Sequence, residues 1–143
     1  MRLHISYSEA NELIGSCTDQ PITIGSSWGE RLAVTYRYKT KVFLLGEVSK
    51  NVTIKFRVDS VSAHSLTLTV ANGILGGVLA KALKSLSENS AMRFMTVYDS
   101  QVYIDLEQIP ALASVIRYVN LTSVAPNQDD LQISFDINTY YLQ

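Results

Sequence analysis

The sequence predicts an α+β fold in which a highly curved antiparallel sheet, largely a meander, wraps around one long apolar helix, with one or two short helices beside it. Three observations predict this. Apolar and polar residues alternate with a period of two in several runs, apolar residues recur at helical spacing over 74–88, and short turn-forming spacers separate the strand-like runs. A chain of 143 residues lies in the size range of one domain. No repeat, linker or low-complexity stretch divides it, so a single domain over 1–143 is expected. Apolar residues make up 47% and charged residues 17%, a balance that favours a packed core over disorder.

The elements follow in order. Leu3–Tyr7 reads as a strand, and Ser8 offers an N-cap for a short helix through Ala10, Leu13 and Ile14. Ile22–Gly25, Leu32–Tyr38 and Val42–Leu45 read as further strands. The strongest alternation comes next. Val52, Ile54, Phe56 and Val58 alternate with Thr53, Lys55, Arg57 and Asp59, and Leu66, Leu68 and Val70 with Thr67 and Thr69. Each run keeps its charges on one face, as suits an antiparallel sheet covered on one side.

Asn72-Gly73 ends that strand, and Ile74, Leu75, Val78, Leu79, Ala82, Leu83 and Leu86 then recur at helical spacing. Lys81, Lys84, Ser85 and Glu88 fall on the opposite face. Gly76, Gly77 and Ala80 stand where polar residues would meet water, so the start of this helix is expected to be enclosed with another backbone close by. Glycine costs roughly 1 kcal/mol relative to alanine within a helix, and close packing would have to offset that. Arg93–Tyr98, Val102–Leu106, Ile116–Val124 and the alternation of Leu131, Ile133, Phe135 and Ile137 complete the strands. Asp99-Ser100-Gln101 and Pro126–Asp130 read as hairpin turns, and a turn or two of helix is expected near Glu107, with Pro110 in its first turn.

Composition and motifs narrow the chemistry. A net charge of −1 argues against a general nucleic-acid binder, and the single cysteine, Cys17, rules out an internal disulfide. No apolar run reaches the roughly 18 residues of a membrane span. The first nine residues lack the apolar stretch of a signal peptide, so a cytoplasmic protein is expected, or one whose leader has been removed. Gly25-Ser26-Ser27-Trp28-Gly29 matches the nucleophile-elbow pattern, but a strand follows it where the elbow needs a helix, and neither His4 nor His64 is placed to serve the serine. Ile14-Gly15-Ser16-Cys17 looks like a lipidation box, yet Glu9 and Glu12 precede it where an apolar stretch is required. The carboxylate pair Asp105 and Glu107 could do acid–base work, and His64 with Asp59 could bind metal. But two histidines at opposite ends of the sheet, with no Cys pair and no HExxH spacing, make a poor metal set. A loop histidine and helix-capping carboxylates account for them. Seven of the twelve basic residues fall between Arg31 and Arg57. Arg37 and Lys39 share one face of their strand, and Lys55 and Arg57 share one face of theirs. Were those strands neighbours, the four would form a patch for phosphate head groups or another anion. Eight tyrosines suit sheet packing, and some could line an amphipathic cavity.

The order of parts resembles the tubular lipid-binding (TULIP-like) domains, including small bacterial ones. The resemblance rests on Ala10-Asn11-Glu12-Leu13-Ile14, the strands Val52–Ser60 and Leu66–Val70, and Asn72-Gly73-Ile74-Leu75 opening the helix. Val102-Tyr103-Ile104-Asp105-Leu106 and the last strand, Leu131–Ile137, extend it over most of the chain. It implies a long curved sheet rolled around an apolar helix and enclosing a channel for lipid. The expected function is therefore a non-catalytic binding domain for a lipid or other hydrophobic ligand. Ile74, Leu75, Val78, Leu79 and Leu83 would line the site, and Arg37, Lys39, Lys55 and Arg57 would form the head-group patch. The alternative is a protein-interaction or structural domain with no small-molecule ligand. No nucleophile–base pair or metal set survives scrutiny, so neither catalysis, a cofactor nor a metal is expected.

Overall fold

The computed structural model describes residues 1–17, 21–71, 81, 83–85, 88, 93–98 and 100–138. Among the described residues nine strands form two antiparallel sheets. Their bounds are β1 Arg2–Ser6, β2 Ile22–Ser27, β3 Arg31–Val42, β4 Gly46–Ser62, β5 Ser65–Val70, β6 Met95–Tyr98, β7 Gln101–Asp105, β8 Val119–Pro126 and β9 Asp130–Ile137. One sheet has the order β1-β9-β8, the other β2-β3-β4-β5-β7-β6. Among the described residues strand accounts for 59% and helix for 19%, so they are mostly antiparallel sheet.

This corrects the expected architecture. Among the described residues the only helix of seven or more is α1, Tyr7–Cys17, and no sheet wraps around a long apolar helix. Of the segment 74–88, Lys81, Leu83, Lys84, Ser85 and Glu88 are described, while Ile74, Leu75, Gly76, Gly77, Val78 and Leu79 lie outside the described residues. Leu83, 4% exposed, is one member of a core built otherwise from strands. The meander also breaks in two places. β1 pairs with β9, from the far end of the chain, which closes a separate three-stranded sheet. β5 pairs with β7, leaving β6 at the edge.

The two-residue alternation builds the larger sheet. Val52, Ile54 and Phe56 of β4, Leu68 and Val70 of β5, and Val102 of β7 are buried with Leu83, and Val34, Tyr36, Val97 and Ile104 pack against them. The intervening residues lie on the opposite face, exposed at Thr53, Lys55 and Arg57 and half-buried at Thr67 and Thr69. Each large apolar side chain taken out of water contributes about 1.5–3 kcal/mol, so this one face provides most of the sheet's stabilisation.

Local chemistry sets the ends of α1. Its cap is Ser6, two residues ahead of the expected Ser8: Ser6 Oγ accepts from the Glu9 N–H at 3.1 Å and donates to the Glu9 carboxylate at 2.9 Å. Asn11 on α1 then covers the edge of β2. Its side-chain amide donates to Ile24 O at 3.1 Å and its oxygen accepts from Ile24 N at 2.7 Å, so the side chain serves where a neighbouring strand is missing. Asn11→Ala is expected to cost about 1–3 kcal/mol in urea unfolding, because both backbone groups lose a half-buried partner. A near-zero change would show that water replaces the amide.

Two expected elements resolve differently. The short helix near Glu107 is a 3-10 turn, Leu106–Gln108, capped by the Asp105 carboxylate accepting from Glu107 N, and Pro110 follows it instead of starting it. Val42–Leu45 is not a strand. Val42 ends β3 and Phe43-Leu44-Leu45 form the turn into β4, an apolar run with no partner strand among the described residues.

Candidate functional site

β3 and β4 are the longest strands, and their pairing continues past both neighbours. β2 pairs with β3 as far as Ile22 with Tyr36, and β5 pairs with β4 as far as Val70 with Phe56. From Tyr38–Lys50 to Val42–Gly46, five pairs run on as a two-stranded ribbon with no other strand beside it among the described residues. At about 3.4 Å per residue this arm projects by roughly 17 Å.

The arm ends in a tip that is apolar and open to water. Phe43 is 89% exposed, Leu44 90% and Leu45 74%. Leu44 has φ 74°, in the left-handed region that a leucine rarely occupies, and Gly46 has φ 74° as well. The penalty for Leu44 is on the order of 1–2 kcal/mol, a strain that a glycine or asparagine would largely avoid. Water gives the three side chains no compensating contact.

Basic residues occupy the outer face behind this tip. β3 and β4 are indeed neighbours, and Arg37, Lys39, Lys55 and Arg57 all lie on the face opposite the core. The register divides them. Lys55 pairs with Ala33, whereas Arg37 pairs with Asn51 and Lys39 with Ser49, so four residues, or about 13 Å, separate the two groups. Thr35 and Thr53 fill the gap, their hydroxyls 2.9 Å apart. Lys39 Nζ is 3.9 Å from Glu47 Oε1, with both side chains well exposed, so the ion pair contributes little. Arg37 borders a shallow open hollow of about 310 Å³ with Pro21, Ile22, Thr23, Thr35 and Asn51. Over 37–51 there are four basic residues and one acidic, a net of +3 in a chain whose total is −1, so the remainder carries −4.

The other candidates serve the scaffold. His64 lies in the β4–β5 turn, with Nδ1 2.8 Å from Glu107 Oε1 and Nε2 3.0 Å from Val119 O. Both ring nitrogens thus have a partner within the scaffold. The same turn accepts from Leu121 N at Ala63 O and from Leu106 N at His64 O, which ties the larger sheet to β8 of the smaller one. Asp59 lies elsewhere, 3.4 Å from Gln101 Nε2. His4 is 3.1 Å from the Asp130 carboxylate in the smaller sheet. Gly25–Ser27 belong to β2, and Trp28-Gly29-Glu30 turn the chain into β3. Gly15, Ser16 and Cys17 end α1. Among the described residues no group of three or more His, Cys, Asp or Glu could hold a metal ion, and no helix is long and apolar enough to cross a membrane.

The tyrosines separate by place. Tyr36 packs on the core, while Tyr98 and Tyr103 stand on the outer face, 74% and 45% exposed. Tyr7 is held more firmly. Its hydroxyl donates to Asn127 O at 2.5 Å, and burial, followed by the nearby Asp130 carboxylate, raises the phenol above its ordinary value of 10.0. Below pH 10 the phenol is neutral in both folded and unfolded chains and adds no pH dependence. Above it the unfolded chain ionises first, so stability falls as pH rises through the raised folded value. Tyr7→Phe is expected to flatten that alkaline fall in thermal melts. At neutral pH it costs about 1 kcal/mol for the lost hydrogen bond.

No protein-family model matches the chain, and no curated protein and no solved structure matches it. The site is therefore defined by geometry. Of the expected lining residues, Ile74, Leu75, Val78 and Leu79 lie outside the described residues, and Leu83 is in the core. The apolar tip escaped the sequence reading because three consecutive apolar residues look like strand. Gly46 directly after them, with Lys39, Lys41 and Lys50 on either side, is the signal that marks a turn at the end of a charged hairpin.

Proposed function

We propose that the chain is a non-catalytic binding domain for a lipid or another hydrophobic ligand, which it meets at the exposed tip of the β3–β4 arm. The observation that carries this reading is the tip itself: Phe43, Leu44 and Leu45 are between 74% and 90% exposed at the end of a projecting ribbon. Isolated exposed apolar residues need no explanation, but three in a row on a strained turn do. An isolated two-stranded ribbon is also marginal in water, so a ligand at the tip would stabilise the arm as well as bind to it.

The test is an NMR titration with dodecylphosphocholine micelles, a neutral apolar probe. Amide shifts at Phe43–Gly46 are expected to move while those of the buried β4 and β5 residues stay in place. Shifts confined to other residues, or none at all, sink the reading. One feature favours a second reading, a protein-interaction domain: the arm's strands have open backbone edges among the described residues, and an extended peptide could pair with them. That reading predicts no response to micelles.

A further inference from the structure

We infer that the β3–β4 arm is a membrane-docking device, whose tip inserts Phe43, Leu44 and Leu45 into the interfacial layer of an anionic lipid bilayer while the lysines behind it face the head groups. The inference rests on the tip being the binding site and adds what it binds. Three observations select a charged bilayer over a soluble apolar ligand. First, Phe43, Leu44 and Leu45 stand 74–90% exposed on the end of a two-stranded ribbon, with no other strand beside it among the described residues. Side chains presented on such an end are covered most fully by a medium that deforms around them. Second, the charge is segregated: +3 lies on residues 37–51 and −4 on the rest of the chain, which steers the arm toward a negative surface and turns the body away from it. Third, the sequence Lys39-Thr40-Lys41-Val42-Phe43-Leu44-Leu45 sets the basic residues directly behind the apolar ones. That is the order in which head groups and acyl chains are met on entry.

Leucine at a left-handed position is part of the same device. Glycine or asparagine would relax the turn at position 44, but either would remove apolar surface at the point that reaches furthest into the lipid. The strain and the apolar side chain come together, so the two can be separated experimentally.

Trp28 provides an internal control. It is the only tryptophan, 92% exposed in the β2–β3 turn, at the opposite end of β3 from the tip. Two proteins are mixed with phosphatidylcholine vesicles, either pure or containing about 30% phosphatidylserine: the native chain, and the double variant Trp28→Phe with Phe43→Trp. The native chain is expected to sediment with the anionic vesicles, far less with the neutral ones, and to release as salt is raised. Its Trp28 emission stays unshifted, whereas the indole placed at position 43 shifts to the blue. Each of Lys39→Ala and Lys50→Ala lowers partitioning roughly fivefold. Phe43→Ser combined with Leu45→Ser lowers it by about tenfold or more. Leu44→Gly weakens vesicle binding yet melts at the same or a higher temperature, which excludes misfolding as the cause.

A blue shift of Trp28, or vesicle binding that survives the serine substitutions, overturns the inference. Self-association lost on the same substitutions, without vesicle binding, overturns it in favour of docking to a second copy. Micelle binding without anionic-vesicle binding overturns this inference and leaves the broader lipid or hydrophobic-ligand reading standing. Failure of both removes both.

Discussion

Phe56→Ala is expected to lower the free energy of unfolding by about 3–5 kcal/mol, a large part of the stability of a domain this size. Phe56 is 4% exposed and pairs with Leu32 on one side and Val70 on the other. It sits where β3, β4 and β5 are all present, so the β-sheet cannot close over the space its ring leaves. The neighbouring Lys55 gives the contrast. It points to the opposite face, and Lys55→Ala should change stability by less than about 0.5 kcal/mol. Urea unfolding of the two variants, with m-values held to that of the native chain, checks both. Equal losses would mean that the two faces of β4 are alike in burial, which would remove the basis for assigning an inner and an outer face.

That division is also what the sequence made most legible. Alternation is local: once Ile54 is inward, Lys55 must be outward, and no knowledge of the partner strand is needed. The runs at Val52–Val58 and Leu66–Val70 could therefore be read directly, and so could the shared face of the basic residues. At Leu131–Ile137 only the strand could be read, since Gln132 and Ser134 are half-buried like Ile133 and Phe135, and Ile137 is exposed. Pairing is not local. Nothing in Leu3 or Ile5 points to Ile133 and Leu131, their partners across the chain. Without that closure the strands look like one continuous meander. The gap between Lys55 and Arg37 was hidden for the same reason, since it depends on register and not on pattern.

The tip was hidden for a different reason. Val42-Phe43-Leu44-Leu45 has high strand propensity at every position, and propensity measures how well a residue fits a half-buried pleated surface. Among the described residues no strand continues past these ends of β2 and β5, and here the same residues form a turn. When apolar residues occupy a turn against their preference, the cause lies outside the backbone's own needs, and a ligand is the simplest one to test.

Leu83→Ala is expected to cost about 2–5 kcal/mol, and Lys81→Ala close to nothing. Both residues come from the segment whose helical spacing first suggested an enclosed helix. Leu83 is 4% exposed and packs with Val52, Ile54, Phe56, Leu68, Val70 and Val102, whereas Lys81, Ser85 and Glu88 are exposed. The sequence pattern thus identified an inward and an outward side correctly at these positions, although the architecture inferred from it was wrong. An apolar stripe states that one side of a segment is buried; it does not state what buries it. Here a single-sided β-sheet receives Leu83, and no channel is needed to account for its burial. If Leu83→Ala were instead neutral, and bound a hydrophobic dye no better than the native chain, residue 83 would have no close-packed partners. The six-stranded sheet would then have to be stable with its apolar face only partly covered.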